Sequence, residues 1–301
     1  MILVVGATGR LGKAVAERLL QEGISFRAAC RSVAKARWLA ERGVEVVRLD
    51  VENGAGLTDA FAGISKVVTC IHGLLGKSRH SIQRIDVGGH AGLIDASAEA
   101  GVERFVYVSA LGAAPDHPSE FWRAKAQTEQ YLRTSGLEFV ILRPSAFMDL
   151  YAHDLIGAAI LRGKRVFLLG SGNTRRNLVA VSDVAEAVVK ALFQPELAGQ
   201  IIDFGGWENM TEREVAKVYA GLAGREARVT AVPSAILPAL AASIAPFHAG
   251  FARIVGSPLL LEGRRDLCMD PTVAVGRLGI DPVRLTKFAQ TRTEADAAAS
   301  A

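Results

Sequence analysis

The stretch Gly6-Ala-Thr8-Gly9-Arg10-Leu11-Gly12, directly after the apolar run Met1-Ile-Leu-Val-Val5, decides the fold of this chain. The run predicts a short buried strand, and the apolar residues after the glycines recur at helical spacing. A strand, a glycine-rich turn and a helix in this order are typical of a dinucleotide-binding βα unit. Gly6 permits the tight bend, Gly9 lets backbone approach a pyrophosphate, and Gly12 lets the helix pack close to the strand. The residues of this turn expected to contact the dinucleotide are Gly6, Thr8, Gly9, Arg10, Leu11 and Gly12.

The residues after the second and third predicted strands indicate which dinucleotide is bound. Sites for NAD carry an acidic residue about 20 residues past the turn, yet Arg31 follows the strand predicted at 25–30. Its charged fork suits the 2′-phosphate of NADP, so the sequence predicts NADP(H) in preference to NAD(H). The alternative is that Arg31 stacks on adenine or faces solvent. Asp50 and Val51, after the strand predicted at 44–49, are candidates for contact with the adenine end.

Composition narrows the class of protein. The chain has 301 residues, half of them hydrophobic, which is enough for a large α/β core. Lysine plus arginine number 35 against 31 acidic residues, without a dense basic tract, so nucleic-acid binding is not expected. The three cysteines have neither metal-ligand nor disulfide spacing, which suits a reducing compartment. Because the first strand is predicted at the initial methionine, we expect no leader peptide and a cytoplasmic location.

One stretch departs from an ordinary globular composition. Residues 229–252 contain no Lys, Arg, Asp or Glu. This uncharged stretch is long enough to span a bilayer. The stretch also contains Pro233, Pro238, Pro246 and His248, and its alanines and serines make it only mildly hydrophobic. We interpret it as a broken helix or lid over an apolar pocket, and peripheral membrane contact is the alternative.

Alternating strand and helix patterns predict an α/β fold with a doubly wound parallel sheet. The domain prediction is a Rossmann core over residues 1–145 and a small C-terminal substrate lobe over residues 146–290. Late core elements at about 177–206 are expected to interleave with that lobe. The alanine-rich, charged tail at 291–301 is expected to be flexible.

Two polar residues are expected at the edge of the sheet where such folds bind ligands. Ser109 ends the strand predicted at 103–108, and Lys125 follows on a helix where it could reach a nicotinamide ribose. His72 ends the fourth strand and is expected over the cofactor, with a hydrogen bond to backbone or ribose as its role.

Five segments of the chain are similar to the atypical short-chain dehydrogenase/reductases, and specifically to the NmrA-like NAD(P)-binding branch. The segments are Gly6-Ala-Thr-Gly-Arg-Leu-Gly12, Phe105-Val-Tyr-Val-Ser109, Lys125-Ala-Gln-Thr-Glu129, Ser135-Gly-Leu-Glu-Phe-Val-Ile-Leu-Arg-Pro144 and Asn177-Leu-Val-Ala-Val-Ser-Asp-Val-Ala185. The resemblance implies a Rossmann domain with a substrate lobe after Pro144. The branch includes quinone and enone reductases, assembly factors and non-catalytic redox sensors.

The sequence departs from the superfamily pattern at the catalytic acid. The usual set is Ser, Tyr and Lys, with Tyr four residues before Lys as the proton donor. Ser109 and Lys125 match that set, but the tyrosine position is Phe121. Standard alcohol dehydrogenation is therefore not expected. Tyr151 and His153 follow the sixth strand and are the candidates for an alternative proton donor.

Two functions remain open. The first is an NADPH-dependent reductase of a small hydrophobic quinone- or enone-like acceptor, in which Lys125 fixes the ribose. The second is a non-catalytic redox sensor or assembly factor that binds the dinucleotide and a protein partner. No metal site is predicted.

Overall fold

The computed structural model describes residues 1–261, 263–264 and 267–300. Twelve strands occur in these residues. In chain order they are β1 Ile2–Val5, β2 Phe26–Cys30, β3 Glu45–Arg48, β4 Lys66–Thr69, β5 Arg104–Val108, β6 Phe139–Pro144, β7 Ala146–Phe147, β8 Val166–Leu169, β9 Arg176–Val179, β10 Ile201–Phe204, β11 Glu208–Met210 and β12 Val229–Val232.

The helices alternate with these strands through the first half of the chain. In chain order they are α1 Arg10–Gln21, α2 Arg37–Ala40, α3 Leu57–Phe61, α4 His90–Glu99, α5 Glu120–Thr134, α6 Ala158–Leu161, α7 Val181–Phe193, α8 Glu212–Ala223, α9 Leu237–Ile244, α10 Ala249–Leu261, α11 Thr272–Leu278 and α12 Leu285–Ser300. Two π-helical segments, Ile82–Gly89 and Met148–Gly157, run directly into α4 and α6. Short 3₁₀ turns occur at Val33–Ala36, Pro195–Leu197 and Ser234–Ile236.

The central sheet has seven strands in the order β10-β6-β5-β4-β1-β2-β3. Strand β1 lies in its interior and pairs in parallel with β2 and β4. The order reverses at β1, because β2 and β3 extend to one side and β4, β5 and β6 to the other. Ligands bind outside the carboxyl ends of the strands at such a switch point. The predicted doubly wound α/β fold is confirmed.

The chain divides into two compact units. The N-terminal unit comprises residues 1–143 and 184–203, and the C-terminal unit comprises the described residues of 144–183 and 204–301. Buried Leu3, Leu93, Phe105 and Tyr107 belong to the core of the N-terminal unit. In β1 and β5 every residue is buried, because helices cover parallel sheets on both faces.

The C-terminal unit has its own core and two small sheets. One sheet has the order β11-β9-β7, and the other pairs β12 with β8 in parallel. The core includes Ile156, Leu178 and Tyr219. Helix α8 begins with a capping box, in which Thr211 Oγ1 accepts from Glu214 N–H and the Glu214 carboxylate accepts from Thr211 N–H.

The end of the chain differs from the expectation for residues 291–301. Helix α12 continues through Ser300, and Ala301 lies outside the described residues. Its beginning is fixed because Leu285 and Ala289 are buried in the core of the C-terminal unit. Further along, Asp296 Oδ2 lies 2.9 Å from His153 Nε2. Packing of one face of the helix and this polar contact therefore give the predicted tail a helical structure.

Residues 229–252 form several short elements. Strand β12 comes first, a 3₁₀ turn follows, and α9 and the beginning of α10 complete the stretch. Proline breaks the regular structure, as predicted, because Pro233 and Pro246 lie between elements. Within the part of the chain that the structure describes, no helix is long and apolar enough to cross a membrane.

Candidate functional site

The glycine turn after β1 has the geometry that the sequence predicts. Gly6 has φ +86°, in the left-handed region, and its N–H donates to Ala29 O at 2.9 Å. A Cβ at Gly6 would lie 2.5 Å from Ile71 Cγ2, and a Cβ at Gly12 would overlap the backbone oxygen of Gly6. Gly6 and Gly12 are therefore required by the protein itself, for the bend and for the approach of α1 to the turn.

Gly9 is less crowded by the protein than Gly6 and Gly12. An added Cβ would meet Gly6 O at 3.3 Å and Cys70 O at 4.0 Å, and the backbone of Gly9 is extended. Gly9 is also the N-cap of α1, which has no acidic residue in its first turn. The first N–H groups of the helix and its dipole are thus suited to an anion. These features fit a pyrophosphate at Gly9.

The other residues of the turn differ in what they present. Arg10 is exposed and Thr8 is half-buried, so the side chains of both are accessible. The Leu11 side chain is buried in the core, so Leu11 offers only its backbone to a ligand.

Arg31 lies at the end of β2 with its side chain 69% exposed. Its Nη1 is 3.7 Å from Glu52 Oε1, a loose contact that leaves most of the guanidinium accessible. Asp50 Oδ1 accepts from Glu52 N–H at 3.1 Å, so the Asp50 carboxylate also holds the turn after β3. Val51 packs on Gly89, where an added Cβ would lie 2.9 Å from Val51 Cγ2.

Cys70 and His72 lie in the loop after β4, and His72 contacts Phe121 of α5. Burial raises the pKa of the Cys70 thiol to about 12, so the thiol stays protonated near neutral pH. The His72 ring has an exposed edge, but the surrounding protein lowers its pKa and the Lys125 ammonium lowers it further. A neutral His72 ring can both donate and accept a hydrogen bond. It meets the Phe121 ring edge-on, with centroids 6.2 Å apart.

Lys125 is buried and paired. Its Nζ lies 3.1 Å from Asp86 Oδ1 and donates to Val108 O at 3.2 Å. Asp86 Oδ2 accepts from Gly73 N–H at 2.7 Å. The prediction that Lys125 fixes the nicotinamide ribose remains a prediction, because the structure gives this ammonium two protein oxygens as partners. Asp86 was missed by sequence reasoning, although an acid between the apolar residues Ile85 and Val87 is a signal for a buried charge pair.

Ser109 is also engaged by a neighbouring side chain. Its hydroxyl donates to Glu129 Oε1, and Arg143 binds the same carboxylate with two nitrogens. The hydrogen bond to Glu129 raises the pKa of Arg143, and Asp203 lies 3.8 Å from its Nη1. Ser109, Glu129 and Arg143 thus form one polar network at the carboxyl ends of β5 and β6. Glu129 and its role were not predicted from the sequence.

Phe121 occupies the position of the missing acid. It is buried, and the Lys125 ammonium lies 5.5 Å from its ring centroid. Trp122, the next residue, donates its indole N–H to Leu111 O at 2.7 Å. A phenyl ring has no exchangeable proton, so neither aromatic residue replaces the tyrosine hydroxyl.

The two candidate proton donors belong to the C-terminal unit. Tyr151 is half-buried with the Arg176 guanidinium carbon 5.0 Å from its ring centroid, and burial raises its pKa. His153 is buried, with Nδ1 3.3 Å from Tyr219 Oη and Nε2 2.9 Å from Asp296 Oδ2. Both ring nitrogens of His153 therefore have protein partners, which disfavours its candidacy as a proton donor. For Tyr151 the role stays a prediction.

The fold and the glycine turn define a Rossmann-type dinucleotide-binding protein. A model of the NAD(P)H-binding family matches residues 6–195, and the chain belongs to this family. The membership confirms the class of protein predicted from the sequence, and NAD(P)H is its cofactor.

Similar proteins include a reductase and an assembly factor. The chain is 33% identical over 233 residues to an NAD(P)H azoreductase of Xenophilus azovorans, an alignment that covers 77% of each chain. It is 25% identical over 292 residues to a photosystem II assembly factor of Guillardia theta, covering 95% of this chain and 91% of that protein. Its fold matches that of an NADPH-dependent quinone oxidoreductase from Escherichia coli complexed with NADPH. That structure has a TM-score of 0.80 and 24% identity, covering 97% of this chain and all of the other.

Proposed function

We propose that this protein is an NADPH-dependent reductase of a hydrophobic, planar acceptor of the quinone, enone or azo class. The observation that carries the proposal is buried Phe121 at the position of the usual acid, beside an intact dinucleotide turn. Such a site favours acceptors whose reduction does not need a tyrosine proton. The azoreductase relative supports the same class of substrate.

The side chains near Phe121 agree with this choice. The Ser109 hydroxyl donates to Glu129, and the Lys125 ammonium is neutralised by Asp86. Neither is free to protonate an alkoxide, which is the strongly basic product of simple carbonyl reduction. Quinone reduction gives a phenolate that water can protonate, with a pKa near the usual value of about 10 for a phenol. NADPH held at the glycine turn would supply the hydride, and one proton from water would complete the hydroquinone.

We propose a preference for NADPH on the basis of Arg31. Its exposed guanidinium has five donors in a planar fork, which matches the oxygens of a 2′-phosphate. Glu52 could instead bind ribose hydroxyls, but it lies against Arg31, which offsets its charge.

A non-catalytic assembly or sensor function is the second candidate, and one observation favours it. Ser109 and Lys125, the two residues that match the catalytic set, are both held in buried protein bonds. The relationship to the assembly factor over 95% of this chain supports the same alternative. A protein of this kind would bind NADPH without reducing any acceptor.

Steady-state NADPH oxidation against a panel of quinones, enones and azo dyes tests the proposal. We expect turnover with at least one acceptor, one reduced product for each NADPH consumed from a quinone, and loss of turnover in Gly9→Val. Tight NADPH binding by calorimetry without turnover across the panel would instead support the assembly or sensor function.

A further inference from the structure

A helical hairpin of the C-terminal unit, with Arg253 as its single charged residue, has apolar side chains in solvent. The hairpin comprises α9, the turn at 245–248 and α10, and the helices pack closely, since a Cβ at Gly256 would lie 3.7 Å from Ala241 Cβ. Phe247 in the turn is 85% exposed. The described residues include 14 large exposed apolar residues, and six of them lie on or just before this hairpin. They are Ile236, Leu240, Phe247, Phe251, Leu259 and Leu260. Such clustering marks an interaction surface.

The composition of this surface distinguishes between possible partners. Residues 229–252 contain eight alanines and no Trp, Tyr, Arg or Lys. Protein interfaces are enriched in Trp, Tyr and Arg at their energetic centres and depleted in Ala and Ser. A lipid surface requires only apolar groups without charge. His248 Nδ1 accepts from Phe251 N–H at 3.1 Å, and the half-buried Arg253 is the only charged residue of the hairpin.

The helices are too short to cross a bilayer, so the contact must be peripheral. Helix α9 has 8 residues and α10 has 13, whereas a span requires about 20. Apolar side chains of peripheral helices enter the boundary between headgroups and acyl chains by about 5–10 Å. A protruding turn with an exposed phenylalanine suits this depth.

Basic residues lie at the other end of the strand that leads into the hairpin. The stretches 162–165 and 225–228 precede β8 and β12, which pair in parallel from Val166 and Val229. We name them the basic edge; its exposed cations are Arg162, Lys164, Arg165, Arg225 and Arg228, and Glu226 is its acid. The two stretches lie close together, because a Cβ at Gly163 would lie 2.6 Å from Arg225 Nη1. Arg165 Nη1 also donates to Thr230 Oγ1 in β12 at 2.8 Å.

We propose that the apolar hairpin and the basic edge together form a docking surface for an anionic lipid membrane. Along the chain, β12 and the 3₁₀ turn at Ser234–Ile236 lie between the basic edge and the hairpin. Apolar insertion and cation attraction to anionic headgroups are the two components that bind peripheral proteins. The proposal goes beyond the reductase function and does not depend on turnover.

Flotation with lipid vesicles tests the proposal on the full chain. The probes are vesicles of phosphatidylcholine alone and vesicles that also contain about one third phosphatidylglycerol. The attraction of basic residues increases with the fraction of anionic lipid, and salt screens it. We expect binding to the anionic vesicles that weakens at high salt. Phe247→Asp should lower the partition coefficient by about tenfold or more, since burial of one large apolar side chain contributes about 1.5–3 kcal/mol. Arg225→Gln combined with Arg228→Gln should lower it by about fivefold for each cation removed, which is about 1 kcal/mol each.

Val273→Asp is the matched control, because Val273 is 73% exposed on α11, outside the hairpin. It should leave vesicle binding unchanged. Circular dichroism establishes that each variant is folded. The proposal is overturned if the wild-type chain does not bind anionic vesicles, or if Phe247→Asp and Val273→Asp bind equally. It is also overturned if sedimentation shows a dimer that Phe247→Asp dissociates while vesicle binding is absent, because a second copy would then cover the hairpin.

Discussion

The ammonium of Lys125 and the carboxylate of Asp86 lie 3.1 Å apart, with side chains 2% and 0% exposed. The pair joins α5 to the π-helical segment before α4, and through Asp86 Oδ2 it also holds Gly73 N–H in the loop after β4. A buried charge is costly unless its partner is in place. The loop that follows β4, the segment before α4 and the helix that carries Phe121 therefore depend on one another.

We expect Asp86→Ala to destabilise the fold by about 3–5 kcal/mol, because it leaves the Lys125 ammonium buried without its carboxylate. The double variant Asp86→Leu with Lys125→Met should lose less than the sum of its single changes, since it removes both charges. Chemical denaturation measures the free energy of unfolding of the single and double variants. Asp95→Ala is the control, because the carboxylate of Asp95 accepts from Tyr131 at an exposed position. A cost below about 1 kcal/mol for Asp86→Ala, as for an exposed ion pair, would contradict the prediction.

The glycine turn allows a structural effect to be separated from an effect on the cofactor. Gly9→Ala should fold with only a small loss of stability, because its Cβ would meet Gly6 O at 3.3 Å, a tight contact without overlap. It should weaken NADPH binding about tenfold or more by obstructing the phosphates. Gly12→Ala should instead destabilise the fold by about 1–3 kcal/mol, because its Cβ overlaps Gly6 O. Thermal unfolding and calorimetry distinguish the two outcomes. Undiminished NADPH affinity in folded Gly9→Ala would show that the phosphates do not approach Gly9.

Arg31→Ala should weaken NADPH binding by about 1.5–3 kcal/mol and leave NADH binding nearly unchanged, because only NADPH carries the 2′-phosphate. Glu52→Gln should strengthen NADPH binding modestly, since Glu52 Oε1 lies 3.7 Å from Arg31 Nη1 and repels the phosphate. Arg37→Ala is the control, because Arg37 is another exposed arginine and pairs with Glu41. Equal losses of affinity for NADPH and NADH in Arg31→Ala would show that the guanidinium does not bind the 2′-phosphate.

His90 should make the stability depend on pH between about 6.5 and 4. Burial, together with the Lys125 ammonium, lowers the pKa of His90 from 6.5 to about 4. The unfolded chain then binds more protons than the folded chain in this window, so the free energy of unfolding falls as the pH falls. The loss reaches about 3 kcal/mol once the pH is below 4. His90→Gln should flatten this dependence in urea titrations, whereas His80→Gln, at an exposed position, should leave it intact. A similar slope in His90→Gln and the wild-type chain would assign the effect to other groups.

Local rules of chain geometry explain what the sequence determined without help from the structure. The order of strand, glycine turn and helix at Gly6, Gly9 and Gly12 follows from backbone sterics and hydrophobic period, which act over a few residues. The central strands were predicted to within about two residues for the same reason. The class of cofactor could also be predicted from the sequence. A pyrophosphate binds backbone N–H groups, and the glycine turn itself fixes where they lie.

Only the tertiary structure decided which polar side chains are free. Lys125 and Asp86 are 39 positions apart, and Ser109 and Glu129 are 20 apart, so no local pattern indicates that they bond. His153 and Asp296 are 143 positions apart, and their contact gives the chain end a role that its alanine-rich composition conceals. Likewise, the absence of charge from 229–252 was readable in the sequence, but the exposure of Phe247 was not. Burial and ion pairing depend on which elements pack together, and that depends on contacts distant along the chain.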